Sequence, residues 1–166
     1  MNFENPIKQN IPDEKEEKIQ KLERDLKIER AGRKNIYQIA RFAQMLRLRG
    51  KEIDLSDQEK EELLIKLENA RKGEGGIKTV QGQEVPQGYE IARWLMLARI
   101  LSVEKANLSE DDKSKILEAA FELKKQKNFI HLASLIKTAE ILGINIGLED
   151  LADDDKRRAE EEFKKM

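Results

Sequence analysis

The stretch YQIARFAQMLRLRGKEIDLSDQEKEELL (37–64) decides the fold, because it returns as YEIARWLMLARILSVEKANLSEDDKSKIL (89–117). Ile39-Ala40-Arg41 stands over Ile91-Ala92-Arg93 at an offset of 52, and Leu55-Ser56 over Leu108-Ser109 at an offset of 53. In both copies, apolar residues spaced three and four apart give way to a polar turn, and Ser then opens a second helix. Ser56 with Glu59 has the capping-box spacing, in which the hydroxyl accepts from a free backbone N–H and the carboxylate reaches back to the cap. A fainter third copy sets Ala98-Arg99-Ile100-Leu101 over Ala139-Glu140-Ile141-Leu142 at an offset of 41. The two periods differ by about the extra length of a Gly-rich segment at 73–88. The underlying unit is therefore a helical hairpin of about 41 residues, within the range of two-helix repeats.

Working outward, the composition argues against β structure. Only three Val and two Thr occur in 166 residues, whereas the abundant Glu, Lys, Leu, Ala and Arg are good helix formers. Pro occurs only at 6, 12 and 86, leaving 13–85 and 87–166 free of the strongest helix breaker. The fold expected is all-α: stacked helical hairpins of about six to seven helices, HEAT- or armadillo-like in period or an irregular bundle, with an N-terminal helical arm. The period alone carries that comparison; no signature residues do. Neighbouring hairpins would stack because one hairpin cannot cover its own apolar face.

The expected organisation has three parts. Residues 1–12 form a disordered tail. Residues 13–35 form a charged helical arm, started near Pro12 and bearing a narrow apolar stripe of Ile19, Leu22 and Leu26. Residues 36–166 form the helical-repeat domain, with the Gly-rich loop at 73–88 carrying a small two-stranded excursion at IKTV and QEV. The inward faces are Ile36, Ile39, Ala40, Phe42, Ala43 and Leu46, then Leu63, Leu64, Leu67 and Ala70. A helix from Tyr89, with Ile91, Ala92, Trp94, Leu95, Ala98 and Leu101, is expected to be the most buried. Ile116, Leu117, Ala120, Phe121 and Leu123 follow, then an apolar helix from Phe129 to Leu142 and a charged one from Leu148 to Phe163.

Several chemistries find no support. With no Cys, disulfides, thiolate metal sites and cysteine nucleophiles are excluded. His131 is the only imidazole and lies between Ile130 and Leu132, where a partly buried or capping role is expected. The acidic runs Glu110-Asp111-Asp112 and Asp153-Asp154-Asp155 lack the loop pattern of a calcium cage, and at helix starts they complement the helix dipole. GEGGIKTV lacks the Gly-Lys-Ser/Thr ending of a phosphate-binding loop. No metal, cofactor, nucleotide or catalytic set is expected, so the chain is read as a non-enzyme. No apolar run reaches the roughly 18–20 residues of a membrane span, and the N-terminus lacks an apolar signal core. A cytoplasmic location is the expectation.

Charge supplies the functional clue. Charged residues make up 39% of the chain, with 32 basic and 33 acidic groups, net −1. Within 24–51, nine basic groups meet only Asp25 and Glu29. The leading expectation is an interaction or adaptor module that binds a protein partner, or itself, through Ile19, Leu22 and Leu26. The alternative is nucleic-acid binding through a basic stripe of Arg24, Lys27, Arg30, Arg33, Lys34 and Arg41, which could track phosphates.

Overall fold

A computed structural model describes residues 13–32, 35–74, 84–149 and 151–165. Among them are seven helices and no strand. These are α1 (Glu14–Ala31), α2 (Ile36–Leu48), α3 (Asp57–Arg71), α4 (Gln87–Ile100), α5 (Glu110–Lys125), α6 (Phe129–Ile141) and α7 (Asp153–Lys164). The chain is all-α, built of packed hairpins. It divides into two units, Met1–Ile53 and Asp54–Met166.

In the first unit, α1 packs against α2. Asp13 caps α1, its carboxylate accepting from the Glu16 N–H at 2.7 Å. Acidic Glu14, Glu16 and Glu17 fill the first turn and Arg30 the last, matching the helix dipole at both ends. Leu26 is the one fully buried residue of α1, while α2 buries Ile36, Ile39, Ala40, Ala43 and Leu46. The described part of the expected arm at 13–35 falls in the same unit as α2. The expected tail, most of the Gly-rich loop and its IKTV excursion lie outside the described residues.

In the second unit, α4 packs against α3, α5 and α6, and α6 also packs against α5 and α7. This central place explains why α4 buries nine of its fourteen residues, as its apolar circumference predicts. Both Ser-led caps close as full capping boxes, Ser56 with Glu59 and Ser109 with Asp112. Helix ends follow a second recurring device. Gly50, Gly73, Ser102, Lys127 and Gly143 adopt left-handed backbone just beyond α2, α3, α4, α5 and α6. In each case the next N–H bonds back five residues, for example Val103 to the Ala98 carbonyl and Ile144 to the Ala139 carbonyl, both at 2.8 Å. These are Schellman endings, which satisfy carbonyls the helix leaves open.

The sequence repeat now has a physical content. Leu46, Ala98 and Ala139 are the carbonyl acceptors of three such endings, and Ser56 and Ser109 open the helices that follow the first two. The repeat encodes a helix stop and the next start. Its tertiary expression differs between copies: α4 and α5 pack on each other, whereas α2 and α3 belong to different units.

Candidate functional site: the outer face of α5

The site is built on α5, whose N-terminus is unusually well held. Asp112, 1% exposed, is gripped by Arg71 from the end of α3: Nε donates to Oδ1 at 3.0 Å and Nη2 to Oδ2 at 2.7 Å. The Ser109 N–H donates to the same Oδ2 at 3.0 Å. Burial pushes the Asp112 carboxyl up, but Arg71 and the backbone and hydroxyl of Ser109 together hold it below the usual carboxylate range. Arg71 also donates to the Asn107 carbonyl at 2.7 Å and pairs with Glu68 at 2.6 Å. The end of α3 is tied further by Gln87, whose amide donates to the Ala70 and Arg71 carbonyls at 2.9 Å, and by Lys115 at 3.3 Å. At the start of α4, Gly88 lies so close to α5 that a Cβ there would run into the Lys115 carbonyl. Backbones can approach this closely only at Gly.

So anchored, α5 turns Ile116, Ala119, Ala120 and Leu123 into the core. Leu117 and Phe121 do not join them: Leu117 is 48% exposed and Phe121 69%. This corrects the inward placement expected from their periodicity. The packing neighbours of α5 are α4 and α6, and the two cover a narrower arc than its apolar residues span. Leu117 and Phe121 are one turn apart and share a face. Glu118 and Lys125 flank Phe121 on the same exposed side, and neither makes an ion pair or side-chain hydrogen bond among the described residues.

The residues singled out in the sequence fall elsewhere. Leu26 is buried, and Ile19 and Leu22 are half-buried. The basic stripe is divided between two helices, because α1 ends at Ala31 and Arg41 belongs to α2. Arg24 and Lys27 are exposed, Arg30 and Arg41 half-buried, and Arg33 and Lys34 lie outside the described residues. Basic and acidic side chains also interleave here, with Lys51 3.6 Å from Glu23.

A second polar cluster joins α4 to α6. Arg93 Nη1 donates to the Tyr89 hydroxyl, which donates to Ser134 Oγ, both at 3.2 Å. The guanidinium carbon stands 5.6 Å from the Tyr89 ring centre, within cation–π range. His131 meets the same ring edge-on at 5.4 Å, and its Nδ1 lies 2.9 Å from Asn128 Oδ1. Burial, then the Arg93 charge, lowers the His131 pKa, and burial lowers that of Arg93. Asn128 caps α6 through its bond to the His131 N–H. Neither the Arg71–Asp112 clamp nor this cluster was legible as such in the sequence, since each joins residues about 40 positions apart. Tyr89 and Arg93 had a faint signal, because Tyr37 and Arg41 repeat their spacing.

Among the described residues, no group of three or more His, Asp or Glu side chains is arranged to hold a metal ion, and no helix is long and apolar enough to cross a membrane. Comparisons with protein-family models, curated proteins and solved structures gave no match.

Proposed function

We propose that this chain is a non-enzymatic helical interaction module that docks a protein through the outer face of α5. One observation carries the reading: Phe121 and Leu117 stand 69% and 48% exposed, side by side, on a helix held rigidly at its start. Covering such side chains is favourable by about 1.5–3 kcal/mol for each one fully buried, and aromatic residues are enriched where proteins meet. The docking surface is thereby moved from the α1 stripe, where Leu26 is already covered, to α5. Nucleic-acid binding through Arg24, Lys27, Arg30, Arg33, Lys34 and Arg41 has less behind it, because acidic groups interleave with the basic ones and the stripe is split between helices.

The test uses a photo-reactive residue at position 117 of the full chain, in the cell that makes it. A protein adduct that disappears with Phe121→Glu is the expected result. Absence of any adduct, or one indifferent to Phe121→Glu, overturns the reading. Phosphate contacts would instead give nucleic-acid affinity that falls steeply with salt, measurable by fluorescence anisotropy at two ionic strengths.

A further inference from the structure

The charges around Phe121 specify what covers it. On the outer face of α5, Glu118 precedes the aromatic ring and Lys125 follows it, whereas Glu110 and Asp111 further back are already paired with Lys113 and Lys115 at 2.8 and 3.0 Å. Glu118 lies three residues before Phe121 and Lys125 four after, about one helical turn on either side. Both are exposed, and neither is paired among the described residues. Lys124, by contrast, is engaged with the Gly147 carbonyl.

Resting on the docking role of α5, we propose that its partner is a second copy of this chain, packed α5 against α5 in antiparallel orientation about a two-fold axis at Phe121. In that arrangement the two Phe121 rings meet at the axis, and Leu117 lies beside the aliphatic stem of Lys125 of the second copy. Glu118 of each chain falls level with Lys125 of the other, so the two-fold forms the ion pair twice. A parallel arrangement would set Glu118 against Glu118 and Lys125 against Lys125, and would align the helix dipoles unfavourably. The face is thus self-complementary in one orientation only, as an isologous contact requires. A net charge of −1 adds little repulsion between copies. One helix pair buries a small interface, so association is weak and concentration-dependent.

Sedimentation velocity on the full chain, from tens to hundreds of micromolar, tests this. The expected result is a monomer–dimer equilibrium weakened at least tenfold by Phe121→Glu, with the helical circular dichroism unchanged because Phe121 lies outside the core. Glu118→Lys alone and Lys125→Glu alone should each weaken it severalfold, since each sets like charges opposite one another twice. Mixing these two variants should restore association, because in an antiparallel heterodimer position 118 of either chain faces an opposite charge at position 125 of the other. A chain that stays monomeric throughout, a dimer indifferent to Phe121→Glu, or a mixture that fails to recover would each overturn the self-pairing. If the chain is monomeric yet position 117 cross-links to a different protein, self-pairing fails and the docking role stands. If the chain is monomeric and no adduct of any kind forms, both fail.

Discussion

Replacing Arg71 with Ala isolates one interaction whose magnitude and sign can be worked out. The substitution removes the donors at 3.0 and 2.7 Å from Asp112 and leaves the carboxylate, 1% exposed, with the Ser109 N–H at 3.0 Å and its hydroxyl. Stranding one partner of a buried ion pair costs about 3–5 kcal/mol. The Arg71 side chain is 23% exposed, so water can enter the vacated space, and the lower end, about 3 kcal/mol, is expected. The Arg71–Glu68 pair adds only tenths of a kcal/mol, because Glu68 is well exposed. The assay is urea unfolding followed by the fluorescence of Trp94, the only tryptophan, which is buried in α4 of the same unit. In an Asp112→Asn background, Arg71→Ala should cost about 1–2 kcal/mol, since no charge is stranded. The pH dependence gives an independent check. Asp112 in the native chain titrates below its unfolded value of about 3.9, so its contribution is present above that pH and lost as pH falls through the folded value. Without Arg71, burial is offset only by Ser109, so the carboxyl titrates higher than in the native chain. The gap between native and variant should therefore narrow from pH 7 to about pH 3. A cost below about 1 kcal/mol, equal at both pH values, would show that the clamp behaves as a surface pair and refute the reasoning.

Three further outcomes are expected. Gly88→Ala should destabilise by about 1–3 kcal/mol or more despite the better helix propensity of Ala, because the added Cβ collides with α5 backbone; the urea midpoint measures it. Lys127→Gly should stabilise by about 0.5–1 kcal/mol, read as a higher urea midpoint with an unchanged denaturant slope, because Lys127 holds a left-handed φ of 54° that suits Gly. The single His131 ring should titrate by NMR below the ordinary 6.5. A folded pKa below the unfolded one makes its contribution present above the unfolded value and lost as pH falls through the folded one. His131→Gln should flatten that slope; a midpoint at or above 6.5 would contradict the half-buried, Arg93-facing placement.

Much of this was legible in the residues themselves. Sparse Val and Thr, with Pro confined to positions 6, 12 and 86, imply a helical chain, because propensity and the lack of a breaker act locally. The two Ser-led caps and the glycines at 50, 73 and 143 mark helix starts and stops for the same reason: capping and left-handed turns are settled within about six residues. The central burial of α4 could also be read, since an apolar circumference wider than one stripe must be covered on several sides.

Tertiary structure decided what such periods do not encode. Apolar spacing says that Leu117 and Phe121 could be buried, but only the positions of α4 and α6 determine how wide an arc of α5 is covered, and these two residues fall outside it. The spacing of Ile19, Leu22 and Leu26 marks an apolar stripe, but only the fold decides that Leu26 is buried and that Ile19 and Leu22 are half-buried. Arg71 and Asp112 stand 41 positions apart, so their pairing exists only once α3 and α5 are brought end to end. Sequence alone determined where helices begin and end, because those choices are made by neighbouring backbone groups. The packing determined which apolar and charged side chains stay exposed, because burial depends on residues distant in the chain.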